Sequence, residues 1–469
     1  MNTFNKKSLY AAIAGLSALG VAGTADAVYV NPDGLGQVLI YPYYTVRAKA
    51  AGTTFAGAQF NTLISVVNTT ASAKAVKVRF LENLDSREVL DFNLYLSHND
   101  VWTAGVVPTA AGAGVVTFDK SCTDPPLASG TVYPFVNTLF TETGIDSSLD
   151  RTREGYIEII EMGDIATAAF VADVTHASGV PACKIISGIA ATDTVAGTGG
   201  IFGDLTIINV NATAETATDA VALNNFNTAS SIWAAPGSIN PTLQSGSVLT
   251  SESFKGGGVV VATWTQSIDA VSASMMHDQV MNEYILDSGT KSGTDWVVNF
   301  PTKRYYYNAN GTLKNAGLVQ PPQLFQRNFG VGGACDDVGI QFWDREEQTP
   351  GGPLPTFSPP SPATPPSALC WEANIVTFNS SNVFSSPYSR DIKGITFQDG
   401  WLRLNLVGGV ATAGVHQMIS VGAQTFLGLP VVGFATATFF NGTLPPAVAG
   451  GASTQSAYGG SWSHKFTSN

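Results

Sequence analysis

The stretch Asn282-Glu-Tyr-Ile-Leu-Asp287, Ser288-Gly-Thr-Lys-Ser-Gly-Thr294, Asp295-Trp-Val-Val-Asn-Phe-Pro-Thr-Lys-Arg-Tyr-Tyr-Tyr-Asn308 sets the fold class. Two runs of β-branched and aromatic residues flank a polar loop that holds Gly289 and Gly293. That grammar predicts strand, loop, strand, and reads as a β-hairpin. In the second arm Trp296, Val298 and Phe300 share one face, and Val297 and Asn299 share the other. Pro301 ends or bends the strand because it has no N–H for a ladder.

The same grammar recurs along the chain. Gly36-Gln-Val-Leu-Ile-Tyr-Pro-Tyr-Tyr-Thr-Val46 is β-rich, and Pro42 marks it as an edge strand or a bend. In Val76-Lys-Val-Arg-Phe80, Val76, Val78 and Phe80 are expected to point inward and Lys77 and Arg79 to water. Gly155-Tyr-Ile-Glu-Ile-Ile-Glu-Met162 is another strand. Gly256-Gly-Gly258 precedes Val259-Val-Val-Ala-Thr-Trp264, which reads as a buried strand, and Ser267–Met276 reads as a short helix. A long β run spans Val431–Phe440. The fold class is all-β: two immunoglobulin-like or related antiparallel β-sandwich domains with a Pro-rich loop excursion. The Gly/Ala/Thr-rich stretch 192–203 divides them into 28–195 and 196–469. Residues 320–372, with the run Thr349–Pro366, form an irregular insertion that cannot sit inside a sheet.

Residues 1–27 read as a secretory signal peptide, with Lys6 and Lys7 before the apolar Leu9–Val21 and a small-residue box at Ala25-Asp26-Ala27. No later stretch is long and apolar enough for a transmembrane helix. Export to the extracellular space or cell surface follows as an expectation, with the periplasm as the alternative. Charged residues are 12% of the chain, about half the usual share, and hydrophobic residues are 44%. The formal net charge of -12 opposes nucleic-acid binding and adhesion to anionic lipid.

Cys122, Cys183, Cys335 and Cys370 are an even set in an exported chain, which favours disulfides. Of the three connectivities, Cys122–Cys183 and Cys335–Cys370 are favoured. The second would tie the base of the Pro-rich excursion. Each is worth about 3–4 kcal/mol through loop entropy.

Chemistry is sparse. His98, His176, His277, His416 and His464 are scattered, without a metal-ligand spacing. No nucleophile elbow, dinucleotide fingerprint or P-loop occurs in the mature chain. Glu158 and Glu161 lie on one strand at a spacing that points them to opposite sides, so they make no catalytic pair. No catalytic residue and no cofactor are expected. Asp336 and Asp337, beside Cys335, are candidate calcium ligands. The tyrosine groups Tyr41, Tyr43, Tyr44 and Tyr305, Tyr306, Tyr307 are candidate ligand-contact aromatics, against a plain core role.

Gly36–Tyr44, Ser86-Arg-Glu-Val-Leu-Asp-Phe-Asn93, Gly155–Met162, Asn282-Glu-Tyr-Ile-Leu286, Thr294-Asp-Trp-Val-Val298 and Phe300-Pro-Thr-Lys-Arg304 together resemble a family of secreted proteobacterial surface proteins with no assigned function. The resemblance runs over most of the chain. It implies export and a shared fold, and carries no catalytic residues.

The expected function is that of a secreted cell-surface structural or interaction protein, self-associating by strand addition through Gly36–Val46 or Val431–Phe440. Its partners would be itself or other envelope proteins. A carbohydrate-binding module or adhesin, contacting polysaccharide through the tyrosines, is the alternative. A secreted polysaccharide hydrolase is the third reading, requiring two carboxylates from distant strands about 5–10 Å apart.

Overall fold

The computed structural model describes residues 26–49, 56–142, 144–212, 214–314, 324–349, 357–358, 367–408, 415–445 and 454–469. All of the expected signal peptide but Asp26 and Ala27, and most of the Pro-rich run, lie outside the described residues. The described chain is mostly antiparallel strand, with two short α-helices, Ala168–Val174 and Ser267–Ser274.

Two sheets make the first layer pair. In one, Val38–Thr45, Glu154–Ile165 and Lys74–Glu82 lie side by side at the centre. The other is built around Asn61–Asn68 and Val101–Pro108. Their facing side chains, among them Val76, Val78, Phe80, Ile157, Ile159, Val66 and Trp102, form one core. Strands beyond residue 195 complete both sheets: Val221–Asn224 pairs with Val38–Thr45, and Asp204–Asn209 pairs with Asn61–Asn68. The first sheet pair therefore extends past the division drawn in the sequence.

A second pair follows. Gly339–Asp344, Asp399–Asn405, Gln279–Ile285 and Lys465–Thr467 form a four-stranded sheet. Gly293–Asn299 lies between Ala373–Phe378 and Val432–Leu444 in a six-stranded one. The all-β reading holds, but the deciding stretch is not a hairpin. Its arms, Gln279–Ile285 and Gly293–Asn299, belong to different sheets. The loop between them turns on the Asp287 carboxylate, which accepts from the Gly289 and Thr290 N–H groups. Thr294 Oγ1 then bridges to the Ile285 backbone where a ladder would otherwise run.

Face alternation in the second arm is as read, with one addition. Trp296, Val298 and Phe300 enter the second core, while Val297 enters the first. The six-stranded sheet is thus buried on both sides, a placement that demands a continuous apolar run. The same crowding corrects Lys77 and Arg79. Both are buried, because that face of their sheet is covered as well. They are neutralised by Asp91 and by Glu88 with Glu158. Both favoured disulfides, Cys122–Cys183 and Cys335–Cys370, are formed, and no described cysteine is free.

Candidate interaction surface

The structure moves the tyrosines from surface to core. Tyr41, Tyr43 and Tyr44 are fully buried, and their hydroxyls donate to Ser65 O, Glu154 Oε2 and Thr152 O. Tyr306 is buried and donates to Asp269 Oδ1 at 3.0 Å. Tyr307 is buried too, and half-buried Tyr305 accepts from the Leu243 N–H. Burial raises the pKa of each of these phenols. Tyr41, Tyr43 and Tyr44 present no ring face for a sugar, because their strand is covered on both sides. Tyr306 and Tyr307, in and after the single 3-10 turn Lys303–Tyr306, are held in the second core, and Tyr305 beside them is partly accessible.

Asp336 and Asp337 are also corrected. Both are buried and already face a cation: Asp336 pairs with Lys303 Nζ at 2.8 Å, and Asp337 with Arg327 at 3.4 Å. Among the described residues no group of three His, Cys, Asp or Glu side chains converges on a point. Glu158 and Glu161 are committed to Arg79 and Lys74. The two strands expected to recruit a partner are interior. Val38–Thr45 pairs with Val221–Asn224 and Glu154–Ile165, and Val432–Leu444 pairs with Gly293–Asn299 and Thr454–Ser463. Val38–Ile40 and Phe434–Thr438 are paired on both sides, so neither strand lies at the edge of its sheet.

A different strand has one. Thr250–Lys255 and Gly258–Thr263 form a hairpin whose two-residue turn is Gly256-Gly257, both at positive φ (57° and 82°). Glycine reaches that backbone without a Cβ penalty. Such a turn makes Lys255 and Gly258 a bonded pair, and bonded and non-bonded pairs then alternate. Ser253 with Val260 and Ser251 with Ala262 exchange bonds across the hairpin. The backbone groups of Thr250, Glu252, Val259, Val261 and Thr263 therefore point outward. On the Thr250 side they are taken: Val28 N–H donates to Thr250 O, and Glu252 N–H donates to Val28 O. On the other side Thr263 O accepts from Val421 N–H. The outward N–H and C=O of Val259 and Val261 have no partner among the described residues.

The face above this edge carries three exposed apolar side chains, with half-buried Glu252 opposite Val261. Phe254 is 67% exposed, Val259 63% and Val261 53%. The opposite face, Ser251, Ser253 and Ala262, is buried against the body. The Val259–Thr263 run is thus not the buried strand that its composition suggests. An apolar edge without proline, bulge or inward charge is what most native sheets avoid.

A second surface carries one exposed and one half-buried tryptophan, Trp401 and Trp343. On the four-stranded sheet Trp343 and Trp401 lie opposite each other, stacked with centroids 4.2 Å apart and planes 15° apart. Arg403 sits over the Trp343 ring at 5.3 Å and donates to Gln341 Oε1. Glu283 is the cross-strand neighbour of Trp401 on the far side. Trp343 and Trp401 fall on alternate positions in strands whose other face enters the second core, a period-2 signal that was readable. No family model matches the chain, and no curated protein or solved structure shows significant similarity to it.

Proposed function

We propose that this is an exported interaction protein that acts through contact rather than catalysis, and that its contact strand is Gly258–Thr263. The observation that carries this reading is that the outward backbone groups of Val259 and Val261 have no partner among the described residues, beside the exposed Phe254, Val259 and Val261 side chains. Two disulfides fit an oxidising compartment. The occupant that the edge suits best is a second copy of itself. Antiparallel pairing about a two-fold axis at Val260 sets Val259 against Val261 of the second copy. That satisfies the outward groups with about four backbone hydrogen bonds, and sets the Val259 and Val261 side chains of the two copies side by side on one face.

The test is sedimentation of the mature protein over a range of concentrations. Wild type is expected to associate weakly and reversibly. Val261→Lys, which places a charge on the exposed face, is expected to remain monomeric. A wild type that stays monomeric at high concentration, or a Val261→Lys variant that associates equally well, refutes the proposal.

The stacked Trp343–Trp401 pair supports a second reading, carbohydrate contact, on residues other than the tyrosines. Binding to a glycan array that is lost in Trp401→Ala would establish it. An array without signal would remove it.

A further inference from the structure

A pocket of about 180 Å³ opens beside the turn that links Lys74–Glu82 to Glu88–Leu96, lined in part by Arg79, Ser86, Arg87, Glu88, Arg304 and Tyr305. Three guanidinium groups and one carboxylate share it, in a chain whose net charge is -12. The charges are not equally neutralised. Arg79 pairs with Glu88 and Glu158. Arg87 pairs with Asp85 and Glu142, but Arg151 draws on the same two carboxylates. The Arg304 guanidinium forms no ion pair among the described residues, and its hydrogen bond to Asn308 O is long at 3.5 Å.

Half-buried Arg304 is close enough to Arg87 and Lys314 for its charge to disfavour theirs. Glu372 attracts it from within the core and is shared with Lys303. Ser86 adds a further donor. Its Oγ accepts from the Tyr156 hydroxyl at 2.7 Å, so the Ser86 proton is free to point elsewhere.

The geometry points to an oxyanion site: the Arg87–Arg304 pocket binds a carboxylate, sulfate or phosphate group. A planar guanidinium presents five donors in a fork that matches such a group. Arg87 is held by its own carboxylates, so the charge left for an anion to close is that of half-buried Arg304, with the Arg87 fork beside it. The ligand is a free oxyanion or the same group carried on an acidic glycan. This site is separate from the strand edge and stands without it.

Titration calorimetry on the mature protein tests it, using inorganic phosphate, inorganic sulfate and glucuronate against chloride at equal ionic strength. Saturable binding of at least one oxyanion is expected, weakened about tenfold or more in Arg304→Gln. Arg304→Lys, which keeps the charge and loses the fork, should fall between. Lys120→Gln, at an exposed position outside the pocket, should bind as wild type does. Tighter binding of a sulfated or uronate oligosaccharide than of the free ion would assign the group to a glycan, and equal binding to the ion itself. The inference falls if no oxyanion gives saturable binding, or if a folded Arg304→Gln binds within about twofold of wild type.

Discussion

Replacing Glu372 by Gln tests how the two sheet pairs are joined. Glu372 is fully buried where the 82–88 turn meets the second pair: its N–H donates to Leu84 O, and its carbonyl accepts from Phe300 N–H. Among the described residues neither carboxylate oxygen has a well-formed hydrogen bond. Burial pushes its pKa up from 4.5 to about 8, Lys303 and Arg304 offset only part of that, and Glu82 adds to it. A carboxyl whose folded pKa is raised stabilises the fold fully below pH 4.5 and loses that contribution as pH rises through 8. At about 1.4 kcal/mol per unit, the ceiling is about 5 kcal/mol. Other groups titrate in the same window. Asp295 is raised to about 6 by burial and Glu161 to about 7, whereas His277 and His464 are lowered to about 4 and act in the opposite sense. The difference between variant and wild type removes them. Urea melts of both proteins at pH 5, 6, 7 and 8 give that difference. Glu372→Gln should gain on wild type progressively with pH. A difference that is constant from pH 5 to pH 8 would refute the placement of an uncompensated carboxyl at this junction.

Two further outcomes follow from buried groups. Lys74 is fully buried between Glu161 and Asp164, so Lys74→Met leaves both acids without their cation. It should cost about 3–5 kcal/mol in chemical denaturation, and adding Glu161→Leu should recover part of that. The Cys122–Cys183 bond closes a separation of 61 residues, and its removal in Cys122→Ala/Cys183→Ala should cost about 4 kcal/mol by loop entropy, read as a lower urea midpoint.

The architecture was legible where one residue decides it locally. Period-2 runs located most strands, and the even cysteine count with an exported reading led to both disulfides. Partner choice was not legible. Asn282–Asn308 has every local mark of a hairpin, yet each arm finds better-buried partners in a different sheet. Tyr41, Tyr43 and Tyr44 failed as contacts for the same reason. Alternation shows which residues share a face, but not whether a second sheet covers it. Lys77 and Arg79 look solvated until Asp91, Glu88 and Glu158 arrive from neighbouring strands. The Val259–Val261 edge was the converse case. Its apolar composition suggested burial, whereas the Gly256-Gly257 turn already marked a hairpin able to project.

Amide hydrogen exchange at Val259 and Val261, in dilute and in concentrated solutions of the mature protein, examines the contact strand at the atoms concerned. Val260, paired across to Ser253, should exchange slowly in both solutions. The amides of Val259 and Val261 should exchange rapidly when dilute and become protected on concentration. Rapid exchange of those two amides at every concentration, or protection already complete in the dilute monomer, would contradict a free edge that takes a second copy.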